Sequence, residues 1–458
     1  MSGVLESVKV EGLYGHKTIE AVIADNTLIL VGENGSGKTT FMRILFYTLS
    51  GQWLQLLQFK FKSVTLKIDG DVFHIERTLI SKNFERHRPE VLRALPPSIR
   101  RKIHDLLEVG DFSGLNDALE RFEGVRGSLF GQFSLFDEQG LLSERKFMAE
   151  ANEYLKKLNS KIVYLPTYRR IERELASIYK GIDAEEVRRS TRGASTADPS
   201  KNSYIELVEF GMKDVDDAIS QTLNKLKEYV RENLNKLTLQ YLGDVVNGAY
   251  RNNSDFAEIS EDTINSVLMR TPESILSADS KGRIVSVLKS SNSGDQDAAL
   301  QKSIISHYFF KLYEFNNLLT KREAAISKFC HLCSEYMSDK AVKYDNINFR
   351  FSVVPKDASD DQAEIQLSEL SSGEKQIVSL FSHLYLSEGG RHFVLIDEPE
   401  LSLSVPWQMR FLKDIRNGEF CSGLVAVTHS PFVYDNELKK YAHAFGEFVS
   451  MHSDGNRE

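Results

Sequence analysis

Gly32-Glu-Asn-Gly-Ser-Gly37-Lys38-Thr39 fits G-x-x-x-x-G-K-[ST], and its surroundings restrict the fold more than any other stretch of the chain. Thr27-Leu-Ile-Leu-Val31 before it reads as a short buried strand, and Thr40-Phe-Met-Arg-Ile-Leu-Phe-Tyr after it reads as a helix. A glycine-rich turn in that position lets backbone N–H groups point inward around phosphate oxygens, while the helix N-terminus adds its dipole. The pattern places Gly32, Asn34, Gly35, Ser36, Gly37, Lys38, Thr39 and Thr40 around the phosphates of a nucleotide. Lys38 would neutralise the β- and γ-phosphates, and the Thr39 hydroxyl would ligate Mg²⁺.

Three further elements follow in order. Leu370-Ser-Ser-Gly-Glu-Lys-Gln376 opens a helix running to Leu386, with Ser371 or Ser372 as its cap, and makes a second helix-N-terminal anion site. Phe393-Val-Leu-Ile-Asp397-Glu398-Pro399 ends a buried strand in two adjacent carboxylates. Phosphoryl transfer to water needs one carboxylate in the Mg²⁺ shell and one to polarise the water, the roles expected of Asp397 and Glu398. Leu424-Val-Ala-Val-Thr428-His429-Ser430 sets a histidine at the carboxyl end of another strand, where open α/β sheets bind ligands.

The rest of the 458 residues fits one large α/β domain split by a helical insertion. Residues 1–84 read as the first part of the head and 85–160 as a mainly helical insertion. A head strand at Ile162–Leu165 lies within 161–179, and 180–345 forms a helical arm with mobile loops, including a surface loop at 180–203. Residues 346–458 complete the head, with Ile347–Val354 as a strand. Val215, Ile219, Leu223, Leu226, Val230, Leu234, Leu237 and Tyr241 make a heptad-like stripe. Ile305, Phe309, Leu312, Phe315, Leu319, Ile326, Phe329 and Cys333 make another, so the arm is an antiparallel pair with legs of ~40 Å. The stretch 251–300 between them is polar and shows little pattern. Residues 63–77 read as a hairpin turning at Asp69-Gly70, which leaves turn chemistry, or a metal pair, for Asp69 and Asp71.

With 57 basic against 65 acidic residues the chain cannot coat DNA by bulk charge. Three cysteines build no disulfide framework and point to a reducing compartment. No signal-peptide pattern and no membrane-spanning apolar run is present, so a soluble cytoplasmic location is expected.

The four motifs together resemble the ABC-type ATPases of the SMC/RecF/Rad50-like branch: the phosphate loop, the signature at Leu370–Gln376, the Walker B strand at Phe393–Glu398 and the switch histidine His429. That resemblance implies catalytic roles for Glu398, His429 and Lys38, metal contacts from Thr39 and Asp397, and ATP and Mg²⁺ as cofactors. It also implies a head-to-head dimer in which Ser371, Gly373 and Glu374 of one copy meet the nucleotide held by the other. The stretch after Glu398 lacks the aspartate that transporter-type relatives carry, and no Q-loop glutamine can be placed, which implies slow hydrolysis with nucleotide acting mainly as a clamp. A stand-alone head with a short arm, with Tyr164–Glu172 and Asp397–Leu403, is similar to the ATPase subunits (PtuA) of Septu antiphage defence systems. That group implies a separately encoded HNH endonuclease partner, scaffolded and restrained by an ATPase oligomer, with any nucleic acid reached through the complex and no membrane.

The alternative is a RecF-like repair ATPase that binds duplex DNA directly. Lys82, Arg86, Arg88, Arg93, Arg100, Arg101 and Lys102, and a second cluster at Arg169, Arg170 and Arg173, suit either a solvated helix face or a nucleic-acid contact. Cys330 and Cys333 sit on an apolar helical stripe, which favours packing over a zinc hook.

Overall fold

The structure is a computed structural model describing residues 3–82, 150–166, 204–206, 212–252, 260–271, 273, 276–290, 296–357, 364–387, 390–401 and 403–451. The basic clusters at 86–102 and 169–173, the loop at 180–203 and nearly all of the expected helical insertion at 85–160 lie outside them. Two compact units divide the chain: Met1–Glu209 with Glu388–Glu458, and Phe210–Ser387.

The first unit carries two sheets. β1 (Leu5–Leu13), β2 (Lys17–Val22), β4 (Ser63–Ile68), β5 (Asp71–Glu76) and β13 (Val449–Met451) form an antiparallel sheet in the order β13-β2-β1-β4-β5. Asp69 and Gly70 turn the β4–β5 hairpin with φ of 51° and 82°, the left-handed pair that a two-residue turn needs. Asp69 accepts the Val4 N–H at 2.8 Å and Asp71 pairs with Lys157, so both acids have structural partners. No cluster of three or more metal-ligating side chains occurs among the described residues.

β3 (Thr27–Val31), β6 (Lys161–Leu165), β7 (Tyr204–Glu206), β10 (His392–Asp397), β11 (Cys421–Thr428) and β12 (Ala442–Ala444) make the second sheet, in the order β12-β3-β11-β10-β6-β7 with every pairing parallel. β10 and β11 are buried along their whole length, as strands covered on both faces must be. Helix α1 (Lys38–Leu49) presents apolar residues on all sides, from Phe41 and Met42 to Phe46 and Tyr47, and is buried accordingly. Its side chains share one core with Val8 and Val10 of the antiparallel sheet and with Phe393, Leu395, Val425 and Val427 of the parallel sheet. A short helix, α2 (Trp53–Leu56), follows. At Gly423 any Cβ would collide with the Phe393 ring, so β10 and β11 close up only around a glycine.

The second unit is helical apart from one hairpin. α3 (Met212–Val246) has 35 residues and α6 (Gln296–Tyr336) has 41, about 52 and 62 Å at 1.5 Å per residue, so both legs exceed the ~40 Å expected. Tyr229 stacks near Phe315 and Tyr241 meets Tyr308, which sets the two helices antiparallel. The buried stripe from Val215 to Leu237 is the one the spacing indicates, while Tyr241, Ile305 and Phe315 are only half-buried.

Two details here go beyond what the sequence indicates. The polar stretch before α6 contains α4 (Glu261–Met269) and α5 (Ala278–Lys289), capped by the Ser260 and Ser277 side chains. α5 buries Ile284 with Val287 and Leu288 half-buried beside it, a short i, i+3, i+4 face, and the serine caps mark where each helix begins. The expected strand Ile347–Val354 is present as β9 (Arg350–Pro355), starting later, and it pairs in a hairpin with β8 (Lys340–Asp345), which the spacing does not indicate. Asp345 accepts the Ile347 and Asn348 N–H groups, turning the chain there and leaving Ile347 48% exposed. Helix α7 (Ser372–Leu386) packs Phe381 against Tyr336 of α6. Cys330 and Cys333 are buried free thiols; burial pushes Cys330 up to about 12 and Cys333 well above the ordinary thiol value, which fits packing rather than thiolate chemistry.

Candidate functional site

Parallel pairing decides where the first unit's motifs meet. Val31 lies opposite Thr428, and Asp397 opposite Val427, so β3, β10 and β11 end at one edge and their following loops share it. Helix α8 (Val405–Arg416) packs against β11 and ties down the opposite end of β3. It buries Phe411, Leu412 and Ile415, and Arg416 donates to Thr27 Oγ1 at 2.7 Å at the start of β3.

The loop after β3 turns through Gly35 and Gly37, with φ of 78° and 107°, angles that a side chain would strain. Gly37 is the residue before α1, so the turn delivers the chain directly into a helix N-terminus. A Cβ on Gly32 would sit 3.5 Å from Phe445 Cβ, and Phe445 also faces Gly37 and Phe41. Phe445 thus backs the loop, a role no local pattern announces.

Lys38 is 4% exposed and its ammonium is enclosed by the loop itself, donating to Gly32 O at 2.8 Å, Glu33 O at 2.7 Å and Ser36 Oγ at 3.4 Å. Burial lowers its proton affinity, and the charges of Glu398, Asp397 and Glu400 work in the opposite direction. Thr39 Oγ1 donates to Asp397 Oδ1 at 3.2 Å, joining two positions far apart in sequence. Asp397, 3% exposed, and this hydroxyl form an all-oxygen pair, the donor chemistry that suits Mg²⁺. Asn34, Gly35, Ser36 and Thr40 flank these groups in the loop and the first turn of α1.

Glu398 follows β10 with φ of 52°, a left-handed conformation that costs a non-glycine residue about 1 kcal/mol. Its N–H donates to Val427 O at 2.8 Å, and its carboxylate lies 3.7 Å from His429 Nε2. Glu400, which the sequence reading left without a role, accepts the His429 and Ser430 N–H groups at 2.7 and 3.2 Å and the Thr428 hydroxyl at 2.8 Å. Lys38, Thr39, Asp397, Glu398 and His429 are therefore brought together within the first unit.

Ser371, Gly373 and Glu374 lie in the second unit, at the N-terminus of α7. Ser371 is the cap: its hydroxyl accepts the Glu374 N–H at 3.4 Å, while Glu374 Oε2 accepts the Ser371 N–H at 2.7 Å. Lys340 of β8 pairs with Glu374 Oε1 at 3.0 Å, and the Glu374 carboxyl is held below its ordinary value against its burial.

Among the described residues no helix is long and apolar enough to cross a membrane. A family model described as "AAA ATPase domain" matches residues 4–433. No curated protein matches the chain. Among solved structures, the chain is similar to the Smc head domain with an extended coiled coil bound to the C-terminal domain of ScpA, derived from Pyrococcus furiosus, at 13% identity and a TM-score of 0.35. That match covers 94% of this chain and 91% of the other.

Proposed function

The chain belongs to the AAA ATPase domain family, and from that premise we propose that it hydrolyses ATP in pairs of heads. The observation that carries the reading is the convergence of the Lys38 loop, the Thr39–Asp397 pair and the Glu398–His429 pair at one sheet edge. Lys38 exchanges its loop carbonyls for phosphate oxygens. Thr39 and Asp397 would hold a Mg²⁺ ion, which would supply neutralisation of phosphate charge there. Glu398 takes the proton of a water that attacks the γ-phosphorus, and the bond to the β-phosphate oxygen breaks to release ADP. His429, 3.7 Å from Glu398, orients that carboxylate and contacts the phosphate being transferred.

The signature helix supplies the other half of each site in this reading. Ser371, Gly373 and the first N–H groups of α7 bind the γ-phosphate of a second copy, so two nucleotides are enclosed between two heads. The finer proposal is that these pairs scaffold and restrain an HNH endonuclease within an antiphage defence complex, with slow turnover as the switch. The likeness of Tyr164–Glu172 and Asp397–Leu403 to Septu ATPase subunits supports it. The RecF-like alternative rests on the basic clusters at 82–102 and 169–173.

Glu398→Gln is the direct test of the ATPase. Turnover is expected to fall about 100-fold or more, with ATP-dependent pairs accumulating in size-exclusion chromatography. Wild-type turnover in that variant would remove the assignment. Copurification with the products of neighbouring genes tests the finer proposal: a stoichiometric HNH protein supports it, and salt-sensitive duplex binding by the chain alone favours the alternative.

A further inference from the structure

We infer that Glu400 is a positioning residue that ties the loop after β10 to the loop after β11 and thereby holds His429 against Glu398; this rests on the ATPase reading above.

Both oxygens of the Glu400 carboxylate are committed. Oε1 accepts two successive backbone N–H groups, His429 at 2.7 Å and Ser430 at 3.2 Å, and Oε2 accepts the Thr428 hydroxyl at 2.8 Å. Beyond Thr428 the chain leaves the sheet, and two consecutive N–H groups aimed at one point form a small anion-binding concavity. Glu400 fills it from within the protein.

The tether is anchored at its other end as well. The Glu400 carbonyl accepts the Leu403 N–H at 3.2 Å and the Gln408 amide at 3.4 Å, while Gln408 Oε1 accepts the Ser430 hydroxyl at 2.7 Å. Glu400, Ser430 and Gln408 therefore close a ring that spans both loops and the first turns of α8. The backbone bond holds His429 by its amide and leaves the imidazole directed to Glu398, 3.7 Å away. A displacement of the loop after β10 carries His429 with it.

Glu400 also adds negative charge near Lys38, ranking behind burial, Glu398 and Asp397 among the influences on that lysine. A charge role and a tethering role make different predictions. Glutamine removes the charge but keeps an oxygen that can accept both amides, with its NH₂ turned to the Thr428 hydroxyl. Alanine removes the tether entirely.

The test uses the full-length chain with Glu400→Gln and Glu400→Ala, measuring kcat and KM for ATP and hydrogen exchange at the His429 and Ser430 amides. Alanine is expected to lower kcat about 100-fold while KM for ATP stays within about threefold. Glutamine should retain kcat within about tenfold of the wild type. The two amides should exchange faster in the alanine variant and not in the glutamine variant. Equal loss in both variants, a wild-type kcat in Glu400→Ala, or a parallel collapse of ATP affinity overturns the inference. Should the wild-type chain show no turnover while the amides respond as expected, the ATPase reading fails and the tether stands. Unchanged exchange in Glu400→Ala sinks the tether whatever the turnover.

Discussion

Lys38 and Lys340, one in each unit, are held in opposite ways. The Lys38 ammonium is surrounded by two carbonyls and a hydroxyl of its own loop, and burial lowers its proton affinity. Lys340 lies against the carboxylates of Glu374 and Asp339, and the Glu374 hydrogen bond first of all raises its proton affinity. A cation meant to meet a ligand is kept on neutral dipoles, which give it up at small cost. A cation that shapes a site is given a permanent counter-charge. Lys340 cancels the carboxylate in the first turn of α7, leaving the helix dipole unopposed there.

The largest expected effect separates the two lysines directly. Lys38→Ala should weaken ATP binding by at least about 100-fold, the loss of charge-assisted bonds to phosphate, whereas Lys340→Ala should change single-chain binding by less than about threefold. Titration with a fluorescent ATP analogue reads both, and equal losses would break the comparison. Ser371→Arg comes next: on the head-pair proposal, in which the second unit acts on a nucleotide held by another copy, it should leave binding intact and reduce turnover about 100-fold. Parallel loss of binding would mean that the signature helix serves its own chain.

The smallest effect sharpens the Lys340 side. Its removal leaves Glu374, with a side chain 6% exposed, without a cation and should lower stability by about 1–2 kcal/mol near neutral pH. The Glu374 contribution exists above its ordinary 4.5 and is lost as pH falls through its lowered value in the fold. The Lys340 contribution exists below its ordinary 10.5 and is lost as pH rises through its raised value. Denaturation midpoints of wild type and Lys340→Ala should therefore differ in the neutral range and converge at both extremes; a gap independent of pH would point to lost packing instead.

What the sequence revealed divides along the same line as local and distant interactions. The Gly32–Thr39 loop, the Leu370–Gln376 cap and the Asp397-Glu398 pair are each contiguous, so each is recognisable from neighbours along the chain even though they act together across it. The hairpin at Asp69-Gly70 was legible because a two-residue turn states its own dihedral requirement. Glu400 and Phe445 were not, because each acquires its partners only when β10, β11 and β12 are in register with β3. The strand expected at Ile347–Val354 begins later, at Arg350, because the Asp345 side chain just before it draws Ile347 and Asn348 into the turn. α4 and α5 do carry apolar residues at i, i+3, i+4 (Ile264, Val267, Leu268; Ile284, Val287, Leu288), but each face is short and set in polar sequence, which hides it.

The position of β3 in its sheet has a consequence for how the protein is made. β3 is formed by residues 27–31, yet both its neighbours, β11 and β12, come from residues 421–444, and Phe445 closes the loop from behind. During synthesis the phosphate loop leaves the ribosome well before β11 and β12 are made, so its strand has nothing to pair with until they follow. Nucleotide affinity is then a property acquired last, in a step set by long-range closure rather than by local helix formation. Interrupted chains ending before β11 would carry the complete Gly32–Thr39 motif and remain unable to use it, so that only chains extending past β12 compete for ATP.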